Sequence, residues 1–255
     1  VTALSSGDIV LLVAAGLGAG TVNGVAGGGT LVSFPALLAT GLQPLQANVT
    51  STLGIWPGYL GGVAGFRSEV REQPRRRLVV LSAAAIVGAT GGSVLLLETP
   101  GSAFKAIAPY LVLSACLLFA VQPLVAGWVK RRLSSLADGH VGIAAAGTLF
   151  GAVYGGYFGA GLGVILLALL GLTLPEDLVR TNGLRAVLSL MVNTAAAVVF
   201  LIAAHVAWDD AGLLAGSSLV GGYFGARVAR RLPPLVFRLL VVGLGLATAV
   251  RLLVG

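Results

Sequence analysis

Apolar runs long enough to cross a bilayer follow one another along the chain, separated by short polar or charged stretches. After Ser5, Ser6, Gly7 and Asp8, apolar residues extend from Ile9 to Val22 and resume from Leu31 to Leu42. A polar patch of Gln46, Asn48, Thr50, Ser51 and Thr52 leads into Leu53 to Phe66, and Leu78 to Leu97 and Ala106 to Val129 follow. The second half reads Val141 to Leu174, a span ending at Ala204, then Ala211 to Ala226 and Phe237 to Val254. A helix of about 20 residues crosses a hydrocarbon core of roughly 30 Å. The strict polar–apolar alternation of an outer-membrane barrel is absent. The pattern therefore predicts an all-α integral membrane protein.

Two of the runs are interrupted. Gly16 to Pro44 carries Gly27, Gly28 and Gly29 at its centre and Pro35 beyond them, and Gly147 to Pro175 carries Gly159 and Gly161. Consecutive glycines add backbone freedom and remove packing, so they predict a break at each point. Open backbone at membrane depth is tolerated only against protein or a watery cavity. Paired interruptions in corresponding places of two halves point to a transporter's substrate site.

The halves align. Gly20, Gly24, Gly28, Pro44 and Thr50 correspond to Gly151, Gly155, Gly159, Pro175 and Thr181 at an offset of 131. Gly88, Gly92, Pro100 and Phe104 correspond to Gly221, Gly225, Pro233 and Phe237 at 133. This predicts one membrane domain over 1–255, built of two four-element repeats, 8–132 and 138–255. Basic clusters at Arg67–Arg77, Lys130–Arg132 and Arg227–Arg231 belong inside by the positive-inside rule, and Glu98 and Asp209–Asp210 outside. That assignment requires the second broken run to enter and leave on one side. The expected form is a re-entrant hairpin with arms of about 14 residues, roughly 21 Å each. Symmetry puts the first hairpin on the other face, so the repeats are inverted, with six full spans and two hairpins whose tips meet near the midplane. The alternative is eight full spans in parallel repeats.

Composition sharpens the class. The chain is 57% hydrophobic and 10% charged, with mean hydropathy +0.98, against about 25% charged in soluble domains. The net charge of +7 does not signal nucleic acid, because the basic residues cluster beside apolar spans. Cys116 is the only cysteine, and His140 and His205 lack metal-ligand spacing, so no disulfide, metal or cofactor is expected. A membrane-embedded enzyme would need a His–Asp, Ser–Lys or metal constellation at depth, and the sequence offers none.

The acidic residues all fall near span ends, whereas Arg185 lies seven residues into its span. A charge at that depth calls for a counter-ion, water or a ligand. The glycine runs precede new helical arms, Thr30 to Leu38 and Val164 to Leu170, whose free N–H groups would face inward with the positive end of the helix dipole. Helix N-termini with flexible glycines bind anions. The expected substrate-binding set is therefore Gly27, Gly28, Gly29, Gly159 and Arg185, with neutral donors Asn23, Asn48, Thr50, Ser51, Tyr154, Tyr157, Thr181 and Asn182. The competing reading is structural. Glycines then serve close helix packing, Arg185 bonds helix carbonyls or snorkels, and the hydroxyl residues bond within the bundle. Arg180 is expected to pair with Glu176 and Asp177.

The pattern G-x-x-x-G-x-x-G-G-G-T-x-x-x-x-P-x-L-x-x-x-G at Gly20 to Gly41, followed by P-x-x-A-N-x-T-S at Pro44 to Ser51, resembles the TauE/SafE sulfite exporters, also called four-TMS sulfate/sulfite uptake permeases. G-x-G at Gly161 to Gly163 and R-T-N at Arg180 to Asn182 look like that family's second repeat. The resemblance implies a multi-pass secondary transporter in a prokaryotic inner membrane that moves sulfite, sulfonates, thiosulfate, sulfoacetate or related anions. Family motif positions fall on Gly27, Gly28, Gly29, Asn48, Thr50 and Ser51. The second repeat departs from the first: Gly-Ala-Gly at 159–161 replaces the triple glycine, and Asn182 stands where Ser51 stands. The two half-sites are not equivalent. The functional expectation is an anion secondary transporter working by alternating access, with a passive anion channel as the alternative. Its partners are the small anion and the lipid bilayer.

Overall fold

The computed structural model describes residues 4–25, 27–132, 141–174, 176–229 and 234–254. The basic cluster at Arg230–Arg231, the residues Asp138 and His140, and the repeat matches at Pro175 and Pro233 lie outside them. The described residues are helical, with no strand. The first half of the chain forms α1 (Ser6–Val25), α2 (Thr30–Ala39), α3 (Pro44–Gly65), the short α4 (Arg67–Arg71), α5 (Arg75–Glu98) and α6 (Gly101–Arg132). The second half forms α7 (Val141–Tyr157), α8 (Leu162–Thr173), α9 (Leu178–Ala203), α10 (Trp208–Ala229) and α11 (Pro234–Val254).

Four helices among the described residues are long and apolar enough to cross a membrane: Ser6–Gly24, Arg75–Glu98, Gly101–Trp128 and Leu178–Ala203. Large apolar side chains such as Val10, Leu117, Phe150 and Ile202 are exposed, which suits lipid and not water. The chain is a multi-pass membrane protein.

Local chemistry sets the helix starts. Pro44 opens α3 at its first turn, where a missing N–H costs nothing. Asp177 caps α9, its Oδ1 accepting the Val179 and Arg180 N–H groups at 2.9 and 2.8 Å. Asp209 and Asp210 stand in the first turn of α10, matching the dipole. Pro35, expected to break the chain again, sits inside a continuous α2. Buried surroundings let a membrane helix keep an internal proline by satisfying its freed carbonyl elsewhere.

The hairpin arms differ from the expected 14 residues. The first arms are long, 20 residues in α1 and 17 in α7, and the returns short, 10 in α2 and 12 in α8. At about 1.5 Å per residue, α1 reaches about 30 Å and α2 only about 15 Å. Close packing explains the long arms. Each is zipped by glycine to a helix of the other repeat. A Cβ at Gly20 would strike the Ser218 carbonyl of α10, and one at Gly221 the Leu17 carbonyl of α1. In the counterpart pair, a Cβ at Gly88 or Gly92 of α5 would strike the Leu149 or Val153 carbonyl of α7, and one at Gly156 the Ala89 carbonyl. Helices that approach this closely gain dispersion contacts that lipid cannot match. Gly58 of α3 meets α10 in the same manner.

Two polar clusters mark the ends of this bundle. At one, Thr40 after α2 bonds Asp210, and Thr50 of α3 accepts the Ala207 N–H. Leu4, Thr40, Gln46, Asp209 and Asp210 line a cavity of about 490 Å³ there. At the other, Glu176 after α8 pairs with Arg77 and accepts from Gln73, while Arg180 pairs with Glu72. Arg180 also lies 3.6 Å from Asp177, so only half of its expected partnership holds. Glu176 is taken by Arg77 because α5 begins beside it. Helix α3 runs from the first cluster to the second.

Candidate functional site

The chain breaks where the glycines stand, and each of the three has its own reason. Gly27 has φ +73°, a region that costs an L-residue about 1–2 kcal/mol. Its N–H donates to the Val22 carbonyl at 3.0 Å, and its own carbonyl accepts the Gly163 N–H at 3.1 Å. A Cβ there would lie 2.8 Å from both Arg185 Nη1 and Gly163 Cα. Gly28 faces the Phe119 ring, 3.1 Å from where its Cβ would be. Gly29 donates its N–H to Asn23 Oδ1 at 2.8 Å, and a side chain would strike the Ala19 carbonyl. The turn of the first hairpin is thus pressed at once against its own α1, against α8 and against Arg185 of α9.

The second turn is built differently. Gly159 and Gly161 both have positive φ, +78° and +77°. Tyr154 reaches over the turn and its phenol donates to the Ala160 carbonyl at 2.6 Å. Phe158 anchors the tip in the core, edge-on to Phe34 at 5.5 Å. Tyr157 turns outward from this anchor: its phenol donates to Thr99 Oγ1 at 3.3 Å, and its carbonyl accepts from Asn48 Nδ2 at 2.9 Å. The two hairpins therefore touch at Gly27–Gly163, while the second tip docks on α3.

Among the described residues Arg185 is the largest fully buried side chain, 2% exposed. The Tyr59 ring of α3 packs with Ala19 of α1 and Leu190 of α9, within electrostatic reach of Arg185. Arg185, Ser189 and Asn193 fall at i, i+4 and i+8 on one face of α9, and all three are buried. Asn48, Thr52 and Tyr59 share a face of α3 and are likewise buried. The two helices are joined by the Trp56 indole donating to Thr194 Oγ1 at 2.8 Å. They run antiparallel, with Trp56 opposite Thr194, Tyr59 packed against Leu190, and Gly183 against Phe66 and Glu69.

The predicted residues thus separate into two groups. Asn23, Gly27, Gly28, Gly29 and Arg185 converge at the first turn, and Asn48 joins Tyr157 at the second. The others are engaged locally. Thr50 holds the Ala207 N–H, Ser51 shares a 2.6 Å hydrogen bond with Ser33, and Tyr154 closes its own hairpin. Thr181 and Asn182 donate to carbonyls one turn back, those of Asp177 and Leu178.

Six of the N–H groups at the new helix starts, expected to be free, are engaged. Gly29's N–H is held by Asn23 and Gly163's by Gly27, and Leu31, Val32, Leu162 and Val164 donate to carbonyls just upstream. Buried donors of this kind are almost never left open.

Two features escaped the sequence. Tyr59 belongs to the site, and its spacing of eleven residues from Asn48, three helical turns, was the available signal. Asp210 lies near a span end yet is 7% exposed, because Thr40 and the α1 start cover it.

The family model of the sulfite exporter TauE/SafE matches residues 12–252. The chain is 28% identical over 92% of its length to a "Probable membrane transporter protein" of Haemophilus influenzae, covering 90% of that protein. It is 29% identical to "Probable membrane transporter protein ORF9" of Sinorhizobium sp, over 92% of this chain and 88% of the relative. It is 26% identical to "Probable membrane transporter protein YfcA" of Escherichia coli (strain K12), over 84% and 76%. No solved structure gives a significant match.

Proposed function

The chain belongs to the sulfite exporter TauE/SafE family, and on that premise we propose that it is a secondary transporter of small anions, sulfite, sulfonates or related sulfur-containing or organic acids. It works by alternating access in the inner membrane of a prokaryote and performs no chemical conversion. One observation carries the anionic substrate: Arg185 is buried at the point where the Gly27 turn, α8 and α3 meet. A cation at that depth is expensive and marks substrate or ion pathways. Arg presents a planar fork of donors that fits the oxygens of a sulfur oxyanion.

The repeats are inverted in this reading, and each hairpin is re-entrant. Leu4 and Thr40, at the two ends of the first hairpin, line one cavity with Asp209 and Asp210. The exit of the second hairpin at Glu176 lies beside Arg77 instead. These contacts support hairpins that open to opposite faces. Alternating access then follows if the two turns disengage in alternation, each while the other stays seated.

Purified protein in liposomes, given labelled sulfite or a short alkanesulfonate, tests this. Uptake is expected to saturate, to show counterflow, and to vanish in Arg185→Ala while partly surviving in Arg185→Lys. Flux that never saturates would instead indicate a channel, and wild-type transport in Arg185→Ala would remove Arg185 from the site.

A further inference from the structure

Among the described residues, buried polar atoms without a hydrogen-bond partner occur on several helices, including Arg77 on α5, Thr148 on α7 and Arg238 on α11, and three uncharged oxygens stand on α3 and α9. Asn48 Oδ1, Ser189 Oγ and Asn193 Oδ1 are buried without a hydrogen-bond partner. A buried polar group is almost always satisfied. Three that are not, on two adjoining helices, require an explanation. Ser189 and Asn193 continue the Arg185 face of α9 by one and two turns, about 6 and 12 Å along the axis. Asn48 ends the matching face of antiparallel α3. The polar line therefore starts at Arg185 and runs toward Asn48.

The hairpin turns stand at its two ends. Gly27 abuts Arg185 at one, and the Tyr157 carbonyl is held by Asn48 at the other. The Gly27 carbonyl and the Gly163 N–H connect the two hairpins at the Arg185 end.

Resting on the transport reading above, we propose that the face of α9 carrying Arg185, Ser189 and Asn193, with Asn48 of the adjoining α3 at its far end, forms the substrate passage, with Ser189 and Asn193 as its lining and the two hairpin turns as its stoppers. The first turn closes the Arg185 end and the second closes the Asn48 end. The vacant oxygens would bond water, or the O–H of a hydrated or protonated oxyanion, along the way. Apolar flanks show the contrast: Leu188, between Arg185 and Val192 on α9, is buried against the α5 side among Leu81, Ala85 and Ala89.

Cysteine accessibility tests the passage in the full-length protein in liposomes. Cys116, the only cysteine, is first replaced in Cys116→Ser. Ser189→Cys and Asn193→Cys are then compared with Leu188→Cys for reaction with small anionic and cationic methanethiosulfonates. Both passage positions are expected to react at least tenfold faster than Leu188→Cys, with ethanesulfonate slowing the reaction. Adding Asn48→Ala, which releases the Tyr157 carbonyl, is expected to speed it further. Ser189→Cys is nearly isosteric and keeps the test readable if Asn193→Cys misfolds. Transport-competent variants reacting no faster than Leu188→Cys would overturn the passage. Fast reaction that no anion slows would uphold the passage and overturn the anion reading.

Discussion

The two hairpins solve one problem, a chain reversal inside a membrane protein, with opposite chemistry. In the first, a side-chain acceptor, Asn23, holds the N–H of Gly29. In the second, a side-chain donor, Tyr154, holds the carbonyl of Ala160. The first turn is bare glycine pressed against Arg185, Gly163 and Phe119. The second is pinned by Phe158 among aromatic neighbours. The difference teaches that the halves have divided their work. The glycine turn brings backbone to within contact of a buried charge, which any side chain would prevent. The backbone of the aromatic turn meets neutral partners instead, the Asn48 amide at Tyr157 and the Tyr154 phenol at Ala160.

Substitutions at matched positions sharpen or break that division. The largest effect is expected at Gly27→Ala, where a positive φ coincides with contacts at 2.8 Å to Arg185 and the Gly163 backbone. Strain of about 1–2 kcal/mol adds to displacement of the guanidinium, so transport should be abolished and the melting temperature in detergent lowered. Gly159→Ala also has positive φ, but its nearest conflict is with Gly155 of its own hairpin at 3.0 Å. It should lose stability while retaining measurable uptake. Equal loss of uptake in the two would show that the turns are functionally alike.

Next in size, Asn23→Ala leaves the buried Gly29 N–H without an acceptor, a penalty of about 1–3 kcal/mol. Tyr154→Phe removes only a hydroxyl and should cost about 1 kcal/mol, and thermal melting of both variants compares them. A Tyr154→Phe variant less stable than Asn23→Ala would reverse the assignment of which cap matters more.

The packing glycines give a smaller, cleaner contrast. Gly20→Ala drives α1 from the Ser218 carbonyl and should destabilise, whereas Gly91→Ala meets nothing within 4 Å and should be neutral or gain up to about 1 kcal/mol of helix propensity. Smallest of all, Arg180→Ala breaks an ion pair with Glu72 whose side chains are about half exposed, and surface pairs contribute only about 0–1 kcal/mol. Its melting temperature should barely change, in contrast to Arg77→Ala, which strips the largely buried Glu176 of its partner.

Much of this was legible beforehand, for reasons that can be named. The helical starts after each break were anticipated near Thr30 and Val164, because consecutive glycines disrupt a helix whatever surrounds them; the helices begin at Thr30 and Leu162. Arg185 stood out because charge inside an apolar run is costly anywhere. Three details were not legible. The close approach of α1 to α10 depends on glycines such as Gly221, which meets the Leu17 carbonyl from more than 200 positions away. The satisfaction of Gly163's N–H depends on a carbonyl in the other hairpin. Thr50, Thr181 and Asn182 carry the right chemistry for a binding shell, yet the direction each side chain takes is fixed by its neighbours.

The sequence by itself determined the class of protein, the number of apolar elements, the places where backbone must break and the depth of the one charge, because these follow from hydropathy and local propensity acting over a few turns. Only the tertiary structure decided which buried groups pair, that the first arms run nearly span-length, and that Arg185, Ser189 and Asn193 share a polar face with both hairpin turns at its ends. Hydrogen bonds and close contacts act over about 3 Å between residues more than a hundred positions apart, and no local pattern encodes such a distance.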